Sequence, residues 1–221
     1  INYSFNGCPF PYPDNGLKPK ESDQYLKLAT NKILNVLSKN DVVVIYNYHL
    51  SHLGDNSLRD VRHNLYDKNG DLPSDGEAKF QIYKNTLINF SKKADQKGIK
   101  IIFVGATMRN NLLKISSKEW FRPFPPKYVL NEEKKNAINL NSKFKESLKS
   151  IENIKFIDPI NELNCCSDID EFNLYFRPGD SDHLSEFGAE MLMKRILYFI
   201  SKENSLSLEN DKKNNFISKN I

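Results

Sequence analysis

Asp41-Val42-Val43-Val44-Ile45-Tyr46-Asn47 decides the class of fold. Between its polar ends, every residue is β-branched or aromatic. Such an unbroken run suits a parallel strand covered on both faces, whereas a half-exposed antiparallel strand alternates apolar with polar. Its carboxyl end releases Asn47, Tyr48 and His49.

Outward from this strand, the neighbouring segments alternate in kind. On the amino side, Ser22 caps a helix in which Leu26, Ala29, Ile33, Leu34 and Leu37 recur at helical spacing until Asn40. On the carboxyl side, Leu50 to Pro73 is polar and rich in turn residues, with His52, Arg59, Arg62 and His63 set among Asp and Asn. It reads as a long loop with room for a short helix, and long loops in compact domains often carry function. Ser74-Asp75-Gly76-Glu77 is a capping-box pattern, and Phe80, Tyr83, Leu87, Phe90 and Ala94 make the inner stripe of a helix ending near Gly98. Lys100 to Ala106 is a second strand. Thr107 to Leu130 is another long connection, with Trp120 to Pro126 at its centre, whose aromatic and proline density fits a rim packed on the domain.

Asn131 opens a third helix running to about Ser150, with Ile138, Phe144 and Leu148 inward. Ile154 to Pro159 is a third strand, stopped by its proline. Cys165 to Gly179 reads as loop, and Ser185 caps a final helix through Leu192, Ile196, Phe199 and Ile200. Helix and strand therefore alternate three times, which predicts an α/β three-layer sandwich with a mostly parallel sheet, flavodoxin-like in plan. Residues 1–201 form one domain, and 202–221 a polar, frayed tail. The opening, Ile1 to Lys20, carries Pro9, Pro11, Pro13 and Pro19 and reads as an irregular loop. It has no initiator Met, which suggests a piece of something longer.

Bulk properties agree with one domain. The chain has 221 residues, 39% hydrophobic and 11% aromatic, enough to build a sizeable core. Lys plus Arg number 32 against 28 for Asp plus Glu, a net charge of +4, and the basic residues are scattered, which does not argue for nucleic acid. The longest apolar stretches are too short to cross a bilayer. The cysteines are Cys8, Cys165 and Cys166, without metal-ligand spacing; they fit either reduced thiols or one bridge from Cys8 to Cys165 or Cys166. His52 and His63 recur at no metal-binding spacing and read as surface residues.

The chemistry concentrates in Arg177-Pro178-Gly179-Asp180-Ser181-Asp182-His183-Leu184-Ser185-Glu186-Phe187-Gly188-Ala189. The offset from Asp180 to His183 lets a carboxylate accept a hydrogen bond from the imidazole, fixing its tautomer and supporting the imidazolium that forms when it takes a proton. In parallel sheets the ligand site lies beyond the carboxyl ends of the strands. Asn47, Tyr48 and His49, Thr107 and Met108, and the loop of Asp180 and His183 should therefore meet on one rim.

The string D-x-x-H-L-S-x-x-G-A as the last loop before the last helix resembles the terminal block of the SGNH (GDSL-like) hydrolase superfamily. With Gly7-Cys8-Pro9, Asp41 to Ile45 and Val104-Gly105-Ala106-Thr107, the chain is similar to the SGNH domain fused to membrane acyltransferase-3 proteins, which O-acylate surface polysaccharide, lipopolysaccharide or peptidoglycan. The resemblance implies a Ser-His-Asp mechanism with Asp180 and His183 as acid and base, no metal and no cofactor. It implies oxyanion or substrate-binding roles for residues at the strand end, here Asn47, Tyr48 or His49. Its partners would be an acylated or acyl-acceptor glycan and a membrane acyltransferase domain on the same polypeptide, in an extracytoplasmic setting.

The family's serine stands in a Gly-Asp-Ser block at the end of a first strand, and this chain has none there. Gly179-Asp180-Ser181 matches in letters, but Ser181 is too close to Asp180 and His183 to aim at the ring and a carbonyl together. The missing strand and serine are expected before Ile1. The rival expectation is a non-catalytic glycan-binding or interaction domain that keeps the fold.

Overall fold

The computed structural model describes residues 10–11, 21–47, 49–53, 76–108, 127–166, 169–177 and 183–218. Its elements run α1 (Glu21–Val36), β1 (Val42–Tyr46), α2 (His49–Leu53), α3 (Gly76–Asp95), β2 (Lys100–Val104), α4 (Lys127–Leu148), β3 (Ile154–Ile157), α5 (Pro159–Leu163), α6 (Ile169–Tyr175) and α7 (Glu186–Ser218). Among the described residues the sheet has the order β1-β2-β3, and both pairings are parallel. Ile45, Phe103 and Phe156 lie in one row across it. The α/β sandwich is thus the observed architecture.

Strand alternation divides the core into two layers. On the face of Phe103 lie Tyr83 of α3 and Phe144 of α4, with ring centroids 6.3 and 4.8 Å away. Lys155 projects to the opposite face, where its Nζ stands 4.9 Å from the ring centroid of Phe199 on α7. The stripe expected on α3, Phe80, Tyr83, Leu87, Phe90 and Ala94, is wholly buried.

Several expectations are corrected. β1 is covered on one face only: Val43 and Ile45 are buried, while Val44 and Tyr46 remain 41% and 45% exposed. The reason is position, because β1 is an edge strand among the described residues. On α4, Ile138 is 40% exposed, and the inward stripe is instead Ala137, Leu140, Asn141, Phe144 and Leu148. Pro159 does end β3, but it also opens α5 in the first turn, where its missing N–H costs nothing. The stretch 165–179 contains α6. The final helix continues to Ser218 instead of fraying from Lys202; its last turns contain neither Gly nor Pro to stop it.

At the amino ends of the strands, the buried Asn153 donates to Ser91 O at 2.9 Å and reaches Ile99 O at 3.5 Å. No described helix is long and apolar enough to cross a membrane.

Candidate functional site

The chain leaving β1 is held by a compact polar cluster. Asn47 Nδ2 donates to Phe10 O at 2.6 Å and to Tyr83 Oη at 2.7 Å, while its Oδ1 accepts from Phe10 N at 3.3 Å. Tyr83 Oη donates in turn to Phe10 O at 2.7 Å. The carboxamide thereby reads both backbone groups of Phe10, as a neighbouring strand would, and both its amide hydrogens are engaged. Burial pushes the Tyr83 phenol far above its ordinary range, with the Asn47 donor opposing that shift.

His49, two residues on, turns into the core. Its ring is 1% exposed and lies 5.0, 5.1 and 5.7 Å from the centroids of Phe103, Phe144 and Tyr83. Nε2 stands 2.9 Å from Val104 O, a geometry in which the ring donates from that nitrogen. Asn47 and His49 thus share Tyr83 as a neighbour, and both are committed to internal partners. Tyr48 lies outside the described residues.

The chain leaving β2 is pinned from α4. Gly105 N still bonds Ile157 O across the sheet at 2.8 Å. At the next residue the sheet partner ends, and Asn141 replaces it: Oδ1 accepts from Ala106 N at 2.6 Å, and Nδ2 donates to Ala106 O at 3.0 Å. The same Nδ2 donates to Asp158 Oδ1 at 2.7 Å. A Cβ on Gly105 would sit 2.5 Å from Asn141 Oδ1, so a glycine is needed for this approach. Nothing in the sequence marked Asn141, because a buried polar residue reads like a surface one.

His183 stands on a third support, the junction of α6 and α7. Arg177 N donates to His183 O at 3.1 Å, and Leu184 forms an antiparallel bridge with Phe176. Ser185 N donates to Tyr175 O at 2.8 Å, its Oγ donates to Leu174 O at 2.5 Å, and Gly188 N donates to that Oγ at 3.0 Å. Ser185 therefore caps α7, as the sequence indicated, and also fastens the loop to α6. A Cβ on Gly188 would collide with the Tyr175 carbonyl. The letters L-S-x-x-G following the histidine are a docking device that fixes where His183 enters, and His183 itself is exposed. Asp180, Ser181 and Asp182 lie outside the described residues.

Cys165 and Cys166 are both buried beyond α5, and their sulfurs face one another; Cys8 lies outside the described residues. Among the described residues no three His, Cys, Asp or Glu side chains gather as metal ligands do. The two carboxamides thus fix the backbone leaving β1 and β2, and the α6–α7 junction presents the exposed His183 at a helix entrance.

Compared with known proteins, residues 1–197 match the family described as "SGNH domain (fused to AT3 domains)". No curated protein matches the chain.

Proposed function

Because the chain belongs to the family of SGNH domains fused to AT3 domains, we propose that it transfers or hydrolyses O-acyl groups of a cell-surface glycan, outside the cytoplasm, beside a membrane acyltransferase domain of the same polypeptide. One observation carries this reading: the D-x-x-H-L-S-x-x-G-A string lies inside the family match, and its non-catalytic letters build the junction that presents His183.

In this mechanism a serine supplied by the upstream polypeptide attacks the acyl carbonyl while His183 takes the hydroxyl proton, and Asp180 orients the ring and supports the imidazolium. The tetrahedral oxyanion collapses, the C–O bond to the leaving alcohol breaks, and His183 returns the proton to that alcohol. The acyl-serine is then attacked by a sugar hydroxyl, which gives transfer, or by water, which gives hydrolysis: His183 takes the attacker's proton, the acyl–serine bond breaks, and His183 returns the proton to the serine oxygen. The edge position of β1 among the described residues supports the placement of the serine, because a strand pairing there would end beside Asn47. Backbone amides at the strand ends are the first candidates for oxyanion donors. Asn47 could donate only by releasing Phe10 O or Tyr83 Oη, and Tyr48 and His49 complete the set of strand-end candidates.

The test is ester hydrolysis and acyl transfer by the full polypeptide with His183→Ala. Loss of the general base should lower kcat/KM by about 10²–10⁴-fold. Unchanged turnover would sink the enzymatic reading and leave the non-catalytic glycan-binding alternative standing.

A further inference from the structure

Asn141 is a buried polar side chain with partners on two separate segments, the chain leaving β2 and the start of α5. It is 0% exposed, and it bonds both backbone groups of Ala106 and the carboxylate of Asp158. Asp158 in turn caps α5, accepting from Ile160 N at 3.1 Å, and its other oxygen takes Asn161 Nδ2 at 2.9 Å. From α5 the connection runs on to α7, where Glu162 Oε2 lies 2.6 Å from Arg195 Nε. The helix so held is the one that starts just after His183.

We propose that Asn141 is a positioning residue for the reaction at this rim: its single carboxamide sets the chain leaving β2 and the α5–α7 unit that carries His183 in one register. The proposal rests on the reading of this rim as the reacting edge. Three features support it. The bonds to Ala106 begin where the sheet's own pairing stops, so without Asn141 a buried peptide would lack partners. Gly105 leaves room for the carboxamide and for nothing larger beside it. The third bond goes to the cap of a helix on the path to His183, so moving Asn141 moves both sides of the site.

A purely structural role would make the same demands on stability but none on turnover, and the molecule contains its own control. Asn153 is a comparably buried carboxamide at the opposite, amino end of the strands. The experiment compares Asn141→Leu with Asn153→Leu in the full polypeptide, with p-nitrophenyl acetate as the ester probe and amide hydrogen exchange as a readout independent of activity. For Asn141→Leu we expect kcat per folded molecule to fall by about 10- to 100-fold with KM within about two-fold, the pattern of misplaced rather than missing groups. Protection should fall together at 105–108 and at 183–189. Asn153→Leu should leave both readouts at wild-type values.

Equal loss of turnover per folded molecule in the two variants would overturn the proposal, as would faster exchange confined to 105–108. If Asn141→Leu does not fold, Asn141→Asp keeps the shape but sets an acceptor against Asp158 and Ala106 O, and the same readouts decide. A wild-type polypeptide without esterase activity defeats the acyl-transfer reading, and the exchange data still decide the register.

Discussion

Tyr83 shows how much one buried hydroxyl is asked to do. It joins Asn47 to Phe10, and burial keeps its proton on well above the ordinary value near 10. Above pH 10 the unfolded chain releases this proton while the native chain retains it, so stability must fall with rising pH. The slope is about 1.4 kcal/mol per pH unit from this group alone. Urea unfolding between pH 9 and 11 checks it, and Tyr83→Phe should flatten that part of the decline. Asn47→Leu strands the Phe10 N–H, while Tyr83 Oη still holds the carbonyl, and is expected to cost about 1–3 kcal/mol in the same measurement. A cost near zero would mean that water replaces the carboxamide. At this scale the sequence was half legible. His183 and Ser185 could be read because a loop motif names them, whereas Asn141 and the enclosed ring of His49 could not. Whether an amide or an imidazole faces inward depends on partners distant in the chain, and polarity alone says the opposite.

The elements were read well where apolar periodicity sets them and poorly where it does not. All three strands and the stripe of α3 follow from runs and spacings that only burial explains. The phase of α4 is obscured at Ile138 because its inner stripe includes Asn141, a polar residue that a count of apolar side chains skips. α5 and α6 leave no periodic signal, because five and seven residues make too short a record for periodicity. Their existence matters most at the α6–α7 junction. Ser185→Ala removes a cap and a bond to Leu174, and should cost about 1 kcal/mol. Gly188→Ala drives a methyl into the Tyr175 carbonyl, so the two helices must separate. We expect it to lower thermal stability more than Ser185→Ala and to reduce ester turnover with it, since His183 rides on that junction. A Gly188→Ala protein with unaltered Tm would show that α6 yields without consequence.

For the molecule as a whole, the alternation of helix and strand was enough to give the sandwich, but not what lies beyond β1. The run of residues that suggested a strand covered on both faces belongs, among the described residues, to an edge strand whose Val44 and Tyr46 are exposed. If the serine-bearing strand pairs there, Val44→Lys should be nearly neutral in this chain, within about 0.5 kcal/mol, yet should clearly destabilise the full polypeptide. Equal cost in both settings would remove the support that this edge lends to the proposed site. The length of α7 has a consequence of another kind. At about 1.5 Å per residue its 33 residues extend for roughly 50 Å, some three times the span of a five-residue strand. A body with such a spar does not tumble as a sphere: it has one slow and one fast rotational axis. Nitrogen-15 relaxation rates should therefore sort by bond direction, with amides along α7 relaxing as a set apart from those of the sheet, and truncation after Lys202 should bring the two sets together.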